Sequence, residues 1–159
     1  AGMLKETGKK KAVEYMVRLN KSAGEVMAQM GASAATDITG FGLIGHAWEI
    51  ASGSGAALEI EAEKVPVMDR VIEFSRMGIV PGKLHDNISY YNCRVEGKLK
   101  QSEDWMSILN DPQTSGGLLI SAPEDKAEEM LRLIRDSGSP EASIIGRVIE
   151  GHKGHIYLK

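Results

Sequence analysis

Apolar positions along this chain recur with two periods, and the changes between them divide it into helices and strands. In 9–30, Val13, Met16, Val17, Leu19, Ala23, Val26, Met27 and Met30 return at helical spacing, predicting an opening helix with a buried stripe. Gly24 interrupts that run, so one helix or two short ones satisfy the pattern, and Gly31 is a natural stop because glycine accepts the left-handed C′ conformation. The methionines of this helix are expected as core filler. Leu43, Ile44, Ala47, Trp48 and Ala51 form the stripe of a second helix that begins near Gly42 and ends at Ser52-Gly53-Ser54-Gly55.

Residues 57–62 alternate with period two, which predicts a strand with Leu58 and Ile60 inward. A helix is expected over 68–77, carrying Val71, Ile72 and Phe74 and stopped by Gly78. The stretch 79–87 is irregular, with turn signals at Pro81-Gly82 and Asp86-Asn87. A strand is read through Tyr91, Cys93 and Val95, and a short helix over 105–109. Leu118-Leu119-Ile120 is a buried strand. Pro123-Glu124-Asp125 opens a helix with acids at its start, buried through Ala127, Met130, Leu131 and Ile134 and stopped by Gly138. The chain closes on a hairpin: a strand over 142–149, the turn Gly151-His152-Lys153-Gly154, and a strand over 155–158. Strands and helices mix without strict alternation, which defines an α+β fold, a mixed and mostly antiparallel sheet with helices packed against it. Residues 1–10 read as a linker or edge and 11–159 as a single domain.

The bulk properties narrow the function. A length of 159 residues, 42% hydrophobic and 26% charged, is that of one globular domain with its own core. A formal net charge of −3 argues against a primary grip on nucleic acid, and Lys9-Lys10-Lys11 reads as a solvated helix start. A single cysteine excludes an internal disulfide and fits a reducing compartment; Cys93 itself is expected as a small buried hydrophobe. No apolar run reaches the roughly 20 residues that a membrane span needs, so the expectation is a cytoplasmic protein without a membrane partner. His152 and His155 stand three apart across the hairpin turn without further ligands, which does not make a metal site.

Candidate chemistry concentrates in two polar loops. The first, Ala35-Thr36-Asp37-Ile38-Thr39-Gly40-Phe41-Gly42-Leu43-Ile44-Gly45-His46, places a carboxylate, two hydroxyls and three glycines ahead of a helix. A carboxylate cannot be hidden without a cation or several donors. A helix start aims free N–H groups and a positive dipole end at whatever lies before it. Together they suit a metal-bound phosphate; the alternative is an ordinary capped turn with Asp37 or Thr39 as N-cap. His46 either hydrogen-bonds a phosphate or simply packs. The second loop, Asn110-Asp111-Pro112-Gln113-Thr114-Ser115-Gly116-Gly117, crowds hydrogen-bonding groups onto an unusual backbone path. It either satisfies itself or presents donors to a ligand or another domain.

The two loops, with Val80-Pro81-Gly82 and Asn87 between them, occur in an order and spacing that resembles the C-terminal domain of selenophosphate synthetase (selenide, water dikinase), within the aminoimidazole ribonucleotide synthetase-like ATP-binding superfamily. The likeness runs from the opening helix to the closing hairpin. The middle motif departs from it: Lys83 and Leu84 stand where the family usually has glycine and threonine. The resemblance implies the C-terminal domain of a two-domain ATP-dependent synthetase, with the N-terminal ATP-binding domain absent from this sequence. The implied reaction converts ATP, selenide and water to selenophosphate, AMP and phosphate, with Mg2+ as cofactor. It further implies a full-length homodimer, with this domain's own N-terminal domain, ATP and selenide as partners. Carried over by motif, Asp37 is the metal-binding aspartate. Thr36, Thr39, Gly40 and Gly42 are its phosphate-proximal neighbours, while Asn87, Asp111, Gln113 and Thr114 line the cleft. The family's nucleophile-handling cysteine or selenocysteine and its essential lysine have no counterpart here, so the isolated domain is expected to be inactive. Two alternatives remain: the matching domain of another superfamily enzyme, such as aminoimidazole ribonucleotide synthetase or thiamine-phosphate kinase, and a non-catalytic binding module.

Overall fold

A computed structural model describes residues 4–159 of the chain. The predicted opening helix is two, α1 (Glu6–Val17) and α2 (Lys21–Met30), separated by an extended turn at Arg18. Gly31 closes α2 in the left-handed conformation. There follow β1 (Ala34–Asp37), α3 (Gly42–Ser54), β2 (Ala57–Ile60), α4 (Val71–Arg76) and α5 (Lys83–Tyr91). The remainder comprises β3 (Val95–Gly97), α6 (Glu103–Leu109), β4 (Leu118–Ser121), α7 (Glu124–Asp136), β5 (Gly146–Ile149) and β6 (Ile156–Leu158).

The strands form two sheets. Antiparallel β1 and β4 make a two-stranded ribbon in which Asp37 lies opposite Leu118. The other sheet has the order β3-β6-β2-β5, with β2 antiparallel to β5 and parallel to β6, and β6 parallel to β3. This is the α+β class with a mixed sheet that the patterning implies. Two hydrophobic clusters hold it. The larger joins Ile44, Ala47 and Ala51 of α3 to Ile60, Tyr91, Val95, Met106, Leu109, Ile156 and Leu158. In the smaller, Ala23 of α2 meets Met130 and Ile134 of α7, with Met27, Met30, Leu118 and Ile120 packed around them.

Four expectations fail, each for a physical reason. The closing hairpin does not form, because β6 pairs with β2 and β3 and lies across β2 from β5. Alternation alone does not say which strand a neighbour in sequence will pair with. Residues 83–91, read as turn and strand, are helical, since Leu84, Asn87 and Tyr91 lie on one buried face at helical spacing. Cys93, expected to be buried, is exposed in the 3-10 turn after α5. The stripe on α1 is bare: Val13, Met16 and Val17, with Leu19 just beyond the helix, are 51%, 42%, 69% and 78% exposed, and no residue of α1 is buried. Met16 is therefore not core filler, whereas Met27 and Met30 pack as expected.

Gly42 starts α3 at φ 68°, and a Cβ there would lie 2.6 Å from the carbonyl carbon of Asn110. A left-handed side-chain residue costs roughly 1–2 kcal/mol before any clash, so Gly42→Ala should lower unfolding free energy by at least about 2 kcal/mol in urea titration. Gly53, inside α3, has open space around its Cα, and Gly53→Ala should be neutral or stabilising by up to about 1 kcal/mol. Equal effects of the two substitutions would contradict this packing.

Candidate functional site

The two polar loops meet along their backbones. The ribbon β1–β4 continues past Asp37: Ile38 N–H donates to Gly117 O and Gly116 N–H donates to Ile38 O, both at 3.0 Å. Further on, Gln113 N–H donates to Thr39 O, also at 3.0 Å. The approach is so close that a Cβ on Gly116 would lie 2.3 Å from Ile38 O. Asn87 on α5 clamps the next turn, its side-chain amide donating to Gly40 O at 3.1 Å and to Asn110 O at 3.0 Å. The Asn87 side chain is thus consumed inside the fold. Asn110 is wholly buried and donates to Met106 O, while its Oδ1 has no hydrogen-bond partner among the described residues.

What this framework presents is Asp37. It sits at the end of β1, exposed, and its carboxylate takes part in no hydrogen bond or ion pair among the described residues. The Thr36 hydroxyl turns to the Asp37 carbonyl at 3.4 Å and leaves the carboxylate alone. Neither Asp37 nor Thr39 caps α3; its N-cap is Phe41, and no side chain accepts from its first N–H groups. The ordinary capped turn is therefore not what these residues build. Thr39 is engaged elsewhere, with its Oγ1 3.1 Å from Nε2 of His46, whose Nδ1 is 2.9 Å from Glu49 Oε2. His46 is buried and neighbours Phe41, the ring centroids 5.4 Å apart.

The residues that depart from the motif have structural places. Leu84 is 2% exposed and fills the core. Lys83 rests its ammonium 5.2 Å from the centre of the Phe41 ring, which brings a positive charge to the bend. In the second loop, the Gln113 amide donates to Asp111 Oδ2 at 2.7 Å and to the Asp111 carbonyl at 3.2 Å. Gln113 and Thr114 are exposed, and Asp111 is half-buried. Burial holds the Asp111 carboxyl above its ordinary value, and the Gln113 hydrogen bond opposes that shift.

Asp37, Thr36, Thr39, Gly40 and Gly42 therefore share one bend with Asp111, Gln113 and Thr114 across from it, while Asn87 and Asn110 hold the two from beneath. Glu49 was missed in the sequence, although its i, i+3 spacing from His46 on a helix was the available signal. Among the described residues no group of three ligating side chains gathers to hold a metal. Nor is any helix long and apolar enough to cross a membrane. His155 bonds Glu96 at 2.8 Å, with the His152 ring beside it.

The site is thus an exposed carboxylate, without a partner among the described residues, on a glycine-stitched bend of an α+β domain. The chain belongs to the family described as AIR synthase related protein, C-terminal domain, whose model matches residues 2–159. It is 43% identical over 148 residues to the selenide, water dikinase of Caldanaerobacter subterraneus subsp. tengcongensis, covering 93% of this chain and 43% of that protein. Against the protein of the same name from Clostridioides difficile it is 41% identical over 157 residues, covering 99% and 44%. The chain thus spans about half the length of the curated relatives it matches. The fold is also that of the hydrogenase maturation protein HypE, with a TM-score of 0.62 at 21% identity over 88% of this chain and 38% of that one.

The Asp111 carboxyl gives a pH test. An acid whose folded value is raised binds its proton more tightly in the native state, so its ionisation costs stability as pH rises. Asp111→Asn removes that cost and keeps an acceptor for Gln113. The variant's stability relative to wild type should therefore increase as pH climbs above the ordinary value of 3.8. Paired urea titrations from pH 3 to 7 read this difference directly; a flat or falling difference would contradict the burial.

Proposed function

We propose that this chain is the C-terminal domain of a selenophosphate-forming synthetase, acting with an N-terminal ATP-binding domain on ATP, selenide and water to give selenophosphate, AMP and phosphate. The observation that carries the reading is the unpartnered Asp37 carboxylate. It lies in the Thr36-Asp37-Ile38-Thr39-Gly40-Phe41-Gly42 motif, at a bend fixed from both sides. The names of the curated relatives support the substrate class.

A carboxylate oxygen is a hard donor of the kind Mg2+ takes. One such group is a partial site, so Asp37 supplies one ligand while substrate phosphates and the N-terminal domain complete the shell. Asp37 would hold the metal from this domain's side, and the metal would supply electrostatic stabilisation of the charge that develops in phosphoryl transfer. This chain's residues do the rest. The start of α3, where Gly42 N–H is taken by Thr39 O, turns the positive end of the helix dipole toward an anion. Thr36, Gly40 and Gly42 shape the bend next to the phosphates, and Asp111, Gln113 and Thr114 form the facing wall of the cleft. The bare stripe on α1 fits burial against the N-terminal domain, since a continuous apolar face is rarely left in water. The whole enzyme is read as a homodimer working in the cytoplasm, where an exposed free thiol such as Cys93 stays reduced.

In the full-length parent enzyme, Asp37→Asn should reduce selenide-dependent ATP turnover at least about 100-fold, the scale of losing one electrostatic contact to the transition state. Circular dichroism and melting should stay unchanged. Unaltered turnover would remove the metal role. This chain alone should show no selenide-dependent ATP turnover, and activity well above background would overturn the division of labour.

A further inference from the structure

The Thr39–His46–Glu49 array is unexplained by a bend that only has to present Asp37. His46 is 6% exposed and held at both ring nitrogens, by Glu49 Oε2 at 2.9 Å and by Thr39 Oγ1 at 3.1 Å. The direction of these bonds follows from donor and acceptor inventory. An ionised carboxylate only accepts, so Nδ1 of His46 carries the proton. In the neutral ring the other nitrogen is then a bare acceptor. In that form of the ring Thr39 gives its single hydroxyl proton to Nε2. What is left on its oxygen is acceptor capacity and nothing else.

An acceptor-only oxygen repels a phosphate oxygen and attracts a proton donor. Two residues from an exposed carboxylate that lacks a partner, a natural donor is the hydration shell of a cation, because Mg2+ keeps several of its waters when bound. We propose that Glu49 and His46 are positioning residues that fix the Thr39 hydroxyl as an acceptor, and that it receives a hydrogen bond from water on the divalent cation at Asp37. The neighbouring Phe41 ring, tilted 39° to the imidazole, helps to keep it from rotating. The hydroxyl is therefore aimed before any ligand arrives, which spares the cost of orienting it on binding. This rests on the metal role read for Asp37 above, and it adds the means by which the domain grips the metal's water shell.

The test uses the full-length parent enzyme. 15N NMR of the histidine-labelled protein at neutral pH should show Nδ1 of His46 protonated and Nε2 bare, assigned by its loss in His46→Gln. A proton on Nε2 would overturn the proposal, because Thr39 would then be free to donate. Mn2+ binding in the presence of a non-hydrolysable ATP analogue, followed by electron paramagnetic resonance, gives the second readout. Thr39→Val and His46→Phe should weaken Mn2+ binding about tenfold, as lost outer-shell partners do. Thr39→Ser should stay within about twofold, and His46→Gln, which can still accept from Thr39, should recover part of the loss. If Thr39→Val folds and binds Mn2+ like wild type, the array is only a structural tie and the proposal fails. Absence of selenide-dependent turnover in an enzyme that meets both readouts would instead defeat the assigned reaction and leave this inference standing.

Discussion

Two close backbone approaches, Gly116 on Ile38 and Gly42 on Asn110, are the constraint on which the rest of the site depends. They let the loop after β1 and the loop before β4 run as an extension of one ribbon, with main-chain hydrogen bonds at Ile38, Gly116 and Gln113. At the point where the ribbon can no longer pair, Asn87 reaches up from α5 and satisfies the carbonyls of Gly40 and Asn110. A buried carbonyl left without a donor costs about 1–3 kcal/mol, so this one amide decides whether the bend is a fixed object or a mobile loop. Larger residues at either glycine would separate the loops and turn the carboxylate loose.

Rigidity of this kind is of little use to a surface loop and of much use to a ligand site. Asp37 is held out from a framework whose neighbouring side chains are engaged elsewhere: Thr36 with a carbonyl, Thr39 with His46, Gln113 with Asp111. An unpaired carboxylate is stable in water, and it gains most from a hard cation that cannot find enough ligands on its own. In the proposed role this domain gives one ligand and a helix start, and a second domain supplies the rest. The proposal gives the bare apolar stripe on α1 the same logic, as a surface that the second domain would cover.

Much of this was legible in the residues. Helical spacing gave α2, α3 and α7, and the acids after Pro123 marked the start of α7. The first loop drew attention to Asp37 and its glycines, and the structure leaves that carboxylate exposed and without a partner among the described residues. Other features were hidden because they depend on partners distant in sequence. That 34–37 is a strand follows from pairing with 118–121, which no local period shows. The residues of α5 looked like a turn because Pro81-Gly82 and Asp86-Asn87 are turn formers, yet burial of Leu84 and Tyr91 wins over local propensity. Placement of β6 between β3 and β2 rests on parallel pairing with strands distant in sequence, which the hairpin-like sequence cannot express. Asn87 read as a cleft residue in the sequence, while its clamping bonds to two carbonyls became visible only once the loops were brought together.

The most direct test of the account is a crystal structure of the intact enzyme with Mg2+ and a non-hydrolysable ATP analogue. The account predicts a carboxylate oxygen of Asp37 at about 2.0–2.1 Å from a Mg2+ ion that also contacts phosphate oxygens. It would be contradicted by an Asp37 side chain facing bulk water while the metals and nucleotide are held entirely by the other domain.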